Sequence, residues 1–230
     1  MNTVNAISQQ PSASDLTGSL FRRSSERNNA GVLADIYRDD TNIAIWKREL
    51  SDELLSSVDN FISTNTMKQT VSAVTAKDTH EVLVNTFGEE QINKVLSDDI
   101  AQLVDMFCCL FDLKRAGLRL TIMDSAMCPK FHVDKIPCRL VSTYHCIATE
   151  WLPNHLIDRT KLGAGSLGER DEESGLLHNV NDIQRLNRGD VALIKGERWE
   201  GNEGAGLVHR SPPILESANR LLLTLDFIDF

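Results

Sequence analysis

The stretch C-P-K-F-H-V-D-K-I-P-C, residues 128–138, sets a histidine and an aspartate two positions apart, His132 and Asp134, between two cysteines and two prolines. On an extended chain, side chains at i and i+2 leave by the same face. One imidazole and one carboxylate so placed can ligate a single ion, and a third donor would complete the set. The best-placed candidate is His209 in G-N-E-G-A-G-L-V-H-R-S-P, which follows the apolar run V-A-L-I-K after a glycine-rich turn. His80, His155 and His178 lie in polar segments, and His145 adjoins Tyr144, so those two strand neighbours face opposite ways.

Two imidazoles and one carboxylate on one face of a metal leave positions open opposite them, the arrangement of non-haem Fe(II) oxygenases. Two other readings compete. Cys128, His132, Cys138 and Cys146 can supply soft ligands to zinc, although their spacing is not a C-x-x-C knuckle. His132 and Asp134 can also simply hydrogen-bond at a strand end. Downstream, Arg220 opens the apolar run R-L-L-L-T-L-D-F. A cation emerging from an apolar strand calls for an anion, unless it pairs with Asp226 or Asp229 or lies exposed.

The elements that must carry these residues are legible as periodicities. Leu54, Leu55, Val58, Phe61 and Ile62 follow a good cap at Ser51 and predict a helix over 51–62. Ile92, Val95, Leu96, Ile100, Leu103, Val104, Phe107, Leu110 and Phe111 recur at steps of three and four, predicting a long helix over about 89–113. Cys108 and Cys109 fall within it as core thiols. Strand-like alternation appears at 42–47, 118–123, 139–144, 188–196 and from Arg220 to the end. Helices first and strands afterwards predict an α+β fold. Its form is a double-stranded β-helix, or jelly-roll, with the N-terminal helices packed on one sheet.

The expected organisation is a mobile tail over 1–30, in which Phe21-Arg22-Arg23 is a possible docking segment, followed by one domain over 31–230. That domain divides into a helical part (31–116) and a β core (117–230). The polar stretch 154–187 contains G-x-G-x-x-G at Gly163, Gly165 and Gly168. No strand precedes it and no helix follows, so it reads as a flexible loop, a lid over a site, rather than a dinucleotide cradle.

Two sets of four short stretches each carry a family resemblance. H-V-D, G-D-V-A-L-I-K-G, L-V-H-R-S-P and N-R-L-L-L-T-L-D-F together resemble the C-terminal half of Fe(II)/2-oxoglutarate-dependent dioxygenases. The resemblance implies that His132, Asp134 and His209 hold iron and that Arg220 binds the far carboxylate of 2-oxoglutarate, with Tyr144 a second cofactor-binding candidate. C-P-K-F-H-V-D, T-E-W-L-P, G-D-V-A-L-I-K-G and H-R-S-P also resemble the bacterial domain-of-unknown-function 1826 family, a name that implies no activity.

Composition narrows the alternatives. The chain has 230 residues and a net charge of −9, with no basic run to suit a nucleic acid. No apolar run approaches a membrane span, and the first residues have no export pattern. An odd count of five cysteines then predicts reduced thiols and a cytoplasmic location. The expectation is an iron- and 2-oxoglutarate-dependent dioxygenase acting on a small molecule or a protein. The alternatives are a zinc-binding protein of metal handling and a non-catalytic jelly-roll binding module.

Overall fold

The protein is described here by a computed structural model covering residues 21–65, 69–90, 92–214 and 218–228. Its strands are β1 (Arg23–Arg27), β2 (Thr41–Trp46), β3 (Gln69–Val74), β4 (Ala116–Met123), β5 (Cys138–His145), β6 (Glu150–Leu152), β7 (Gln184–Arg185), β8 (Val191–Lys195), β9 (Val208–Arg210) and β10 (Arg220–Asp226). The α-helices are α1 (Asp52–Thr64), α2 (Thr79–Phe87) and α3 (Lys94–Phe111). Seven strands form a large sheet in the order β1-β2-β8-β5-β10-β4-β3, and three form a small one, β7-β6-β9. A bridge between His132 and His209 extends the small sheet by one row.

The helices begin where capping chemistry allows. Ser51 accepts from Leu54 N and Asn93 from Leu96 N, each at 3.2 Å, satisfying amides that have no partner inside the helix. The cap at Asn93 starts α3 some five residues later than the apolar pattern does. The helix ends at Asp112, whose left-handed backbone lets Leu113 N reach Cys108 O.

Alternation along the central strands decides what each layer sees. Leu118, Leu120, Ile122, Leu140, Leu221, Leu223 and Leu225 join Phe61, Leu103 and Phe107 in one core, so the helices pack on one face of the large sheet. Each such side chain taken from water contributes about 1.5–3 kcal/mol. The opposite face carries Arg119, Thr121, Arg139, Arg220 and Thr224, which line a cavity. A second apolar cluster, including Ile43, Ile45, Val141, Trp151 and Leu207, fills the space between the two sheets beside that cavity.

Several expectations need correction. Residues 1–20 of the expected tail lie outside the described residues, but β1 pairs in parallel with β2. Arg22 is buried, and its Nε donates to Asn202 Oδ1 at 2.8 Å. The ordered fold therefore begins before residue 30. Helix α2 had no clear periodic signal. The stretch 154–187 is built from short 3-10 turns. Leu176 and Leu177 anchor it in an apolar cluster with Phe131, Leu152 and Val208. Its glycines serve tight turns: a Cβ on Gly165 would lie 1.8 Å from Thr160 O. All five cysteines are free, as the sequence predicts. No helix among the described residues is long and apolar enough to cross a membrane.

Tyr144, expected beside a cofactor, shares the parity of Cys138 and Leu140 and so faces the helices. Its hydroxyl donates to Asp99 Oδ2, and Arg48 holds the same carboxylate with bonds of 2.6 and 2.9 Å. Removing that hydroxyl leaves Asp99 one donor short. Tyr144→Phe should lower stability by about 1–2 kcal/mol in denaturant unfolding. An unchanged unfolding midpoint would remove the Tyr144–Asp99 bond from the support of the core.

Candidate metal centre

His132, Asp134 and His209 converge. One donor atom from each lies within 4.8 Å of the others. Nε2 of His132 is 3.7 Å from Asp134 Oδ1, and Nε2 of His209 is 3.6 Å from Asp134 Oδ2. A divalent cation about 2.0–2.2 Å from each donor needs spacings of roughly this size. Within the described residues this is the one group of three or more histidine, cysteine, aspartate or glutamate donors close enough to hold an ion. Cys138 faces the helix-side core instead, so the mixed cysteine–histidine zinc set is not assembled. His80 lies against Ser97, and His155 against Phe21.

The backbone fixes the two histidines as a pair. His132 N donates to His209 O and His209 N to His132 O, both at 3.0 Å, which brings the rings to 4.6 Å between centroids. Each Nδ1 lies beside a carbonyl, Lys130 O at 3.0 Å and Leu207 O at 3.2 Å. A carbonyl can only accept, so each Nδ1 carries the proton and each Nε2 presents a lone pair. Two glycines permit this approach. A Cβ on Gly196 would meet Ile136 O at 2.1 Å, and one on Gly206 would meet Val133 Cγ1 at 2.4 Å.

Asp134 is oriented by Arg139, whose Nη1 donates to Oδ2 at 2.8 Å while its Nε holds Asp226 at 2.7 Å. Next to His209, Arg210 pairs with Glu150, Asp171 and Glu172 and stacks on Phe131. Asp171 also accepts from Phe131 N, so the 154–187 segment is tied to the strand-like stretch that carries His132.

Arg220 is fully buried in the same cavity as His132 and His209. Its partners are hydroxyls: Ser211 at 2.7 Å, Thr149 at 3.0 Å and Thr143 at 3.3 Å. Its Nε is buried without a partner. Asp226, one suggested counter-ion, is taken by Arg139, and Asp229 lies outside the described residues. Burial pushes the guanidinium down to about 10, with only partial opposition from Cys146 and Glu150. Arg119, which the sequence reading did not single out, lines this cavity as well. Its signal was available, because a charged residue interrupts L-R-L-T-I-M on the face away from the leucines.

Two outcomes follow. Arg139→Met should weaken divalent-metal affinity about 10–100-fold in chelator competition, because Asp134 loses the group that orients it. Unchanged affinity would remove Arg139 from the support of the site. Burial pushes the His209 imidazole down to about 4, against Asp134, which favours the charged form. An unfolded imidazole titrates near 6.5, so between these values the unfolded chain binds more protons. Stability of the metal-free protein should therefore be intact above about pH 6.5 and fall as pH drops towards 4, by up to about 1.4 kcal/mol per pH unit. Melting curves across that window should show the slope in the wild type and flatten in His209→Gln.

Comparison with known proteins adds a family. Among curated proteins no sequence match is found. The fold is similar to the dioxygenase for auxin oxidation 1 of Arabidopsis thaliana, solved with 2-oxoglutarate, at 10% identity over 91% of this chain and 93% of that one, TM-score 0.48. It is also similar to HygX of Streptomyces hygroscopicus, solved with nickel and 2-oxoglutarate, at 12% identity over 86% and 85%, TM-score 0.44. A third is a prolyl-4-hydroxylase of Pseudomonas putida, at 10% identity over 87% and 98%, TM-score 0.43. The model of a family described as "Protein of unknown function (DUF1826)" matches residues 27–226, and the chain belongs to that family.

Proposed function

We propose that the chain is an Fe(II)- and 2-oxoglutarate-dependent oxygenase built on a double-stranded β-helix. The observation that carries this reading is Arg220, a fully buried guanidinium with no carboxylate partner among the described residues. It shares one cavity with the converging His132 and His209. A buried unpaired cation is destabilising, and a dicarboxylate reaching from it to a metal would neutralise it. The winding supports the jelly-roll. Strands β4, β10, β5 and β8 run as one antiparallel layer, and the His132 row, β9, β6 and β7 as another, with the chain crossing between them repeatedly.

The donor set fits the metal. Two neutral imidazoles and one carboxylate suit Fe(II) and leave sites for other ligands. When bound, Fe(II) with 2-oxoglutarate and dioxygen as the oxidant would supply the chemistry to hydroxylate or demethylate a substrate, one oxygen atom going to the substrate and the other to the succinate left when the cosubstrate loses CO2. The chain's own residues do the positioning. His132, Asp134 and His209 would hold the ion, and Arg139 fixes the aspartate. Arg220 offers a planar fork to the distal carboxylate, and the Ser211 and Thr149 hydroxyls that hold the fork can turn their own protons towards the same anion.

Anaerobic calorimetry of 2-oxoglutarate against Fe(II)-loaded protein tests this. The wild type should bind, and Arg220→Leu should keep its iron but lose about 2–5 kcal/mol of cosubstrate affinity. Equal affinity in both, or none in either, would sink the cosubstrate assignment. Zinc in protein purified without added metal, together with no 2-oxoglutarate affinity, would favour the metal-handling reading.

A further inference from the structure

The cavity holds one more unpartnered guanidinium than the proposed cosubstrate would answer. Four guanidinium groups line it: Arg119, Arg139, Arg210 and Arg220. Arg139 is matched by Asp134 and Asp226, and Arg210 by Glu150, Asp171 and Glu172. Arg119 and Arg220 have no ion pair among the described residues, and the Nε of each is buried without a hydrogen bond.

Their places differ. On β10, Arg220 stands opposite Met123 of β4, and Thr224 stands opposite Arg119. Four residues of strand span about 13 Å, so the two arginines are rooted at opposite ends of this wall. Thr224 in turn pairs with Val141, and the next cavity-facing row is Asp226 with Arg139, the residue that holds Asp134. Arg119 is therefore rooted towards the Asp134 end of the cavity. It is also on the open side. Val71 of β3, its cross-strand partner, is exposed.

Charge gives the chemistry. Arg139 and Arg210 each already face an excess of carboxylates, so the cations left without one are Arg220 and Arg119. A dicarboxylate cosubstrate would answer Arg220 and the metal, and Arg119 would still lack an anion. We propose that Arg119 receives the carboxylate of the substrate, and that the substrate is a small organic acid with an apolar body lying towards Val71. This rests on the oxygenase reading and names the substrate class for the same cavity. A guanidinium presents paired donors matched to a carboxylate, and the partly covered position makes the pairing stronger than one in open water.

The test is calorimetric, on the full chain loaded with Mn(II), which binds like Fe(II) without turnover, and with 2-oxoglutarate. The probes are phenylacetate and its uncharged analogue phenylacetamide. Phenylacetate should bind the wild type at least tenfold more tightly than phenylacetamide does. Arg119→Met keeps the aliphatic stem and should weaken phenylacetate roughly tenfold or more while leaving 2-oxoglutarate affinity unchanged. Its melting temperature should hold or rise, because no partner is lost. The proposal is overturned if phenylacetate fails to bind the wild type or binds both proteins equally. It is also overturned if Arg119→Met weakens 2-oxoglutarate as much as Arg220→Leu does, or if it melts markedly lower, the mark of a structural arginine. If 2-oxoglutarate binds neither protein while phenylacetate on the Mn(II) form still depends on Arg119, the cosubstrate assignment fails and the anion site stands.

Discussion

Two backbone hydrogen bonds, His132 to His209 and back again, hold the site together. Among the described residues they make the one β-bridge between the stretch after β4 and the small sheet, and they fix two imidazoles from distant parts of the sequence at one place. Much nearby is arranged to permit them. Gly196 and Gly206 leave out side chains where backbone passes against backbone. Phe131 and Val208, each next to one of the histidines, enter the same apolar cluster. A ligand pair set by main-chain geometry does not depend on loop rotamers, and this is the kind of preorganisation that a catalytic site requires.

Around that bridge, the central strands divide their side chains between two environments. Leu221, Leu223 and Leu225 of β10 go to the helices, and Arg220, Leu222 and Thr224 go to the cavity. An antiparallel strand can do this because its side chains alternate. The consequence is a polar wall deep inside the protein, where every charge must be answered. Asp226 and Asp134 answer Arg139, and three carboxylates answer Arg210. The two that go unanswered are where ligands are expected, since a chain under no functional constraint would gain stability by replacing them with apolar groups.

Strong periodicity made the main elements legible. The apolar pattern of α3, the leucines of β10 and the cap at Ser51 each signal structure by local rules. The metal triad was legible too, because His132 and Asp134 share a strand face and His209 follows the right kind of turn. What was not legible depended on tertiary context. Strand β1 is five polar residues, R-S-S-E-R, that pair only because β2 offers an edge. The 154–187 segment reads as a flexible loop from composition, but a few leucines and Asp171 are enough to anchor it. Tyr144 was misplaced because its facing follows from the parity of β5, which a single residue does not reveal. Arg119 was overlooked because an arginine in a strand usually points to solvent, and only the covering layer shows otherwise.

The position of β10 has a consequence for the making of the protein. It lies between β4 and β5, yet it is synthesised after both. Until it emerges from the ribosome, β4 and β5 each present an unpaired edge with apolar side chains beside it, Leu118, Leu120 and Ile122 on β4 and Leu140 and Tyr144 on β5. The nascent chain can assemble the histidine pair, but it cannot close the sheet or supply Arg220. An unpaired apolar edge is a template for wrong pairing, so the interval before β10 inserts is when this chain is most exposed to aggregation and most dependent on chaperones. The strand that brings Arg220 into the cavity is also the one that closes the sheet, so a chain arrested before it has neither that buried cation nor a sealed fold.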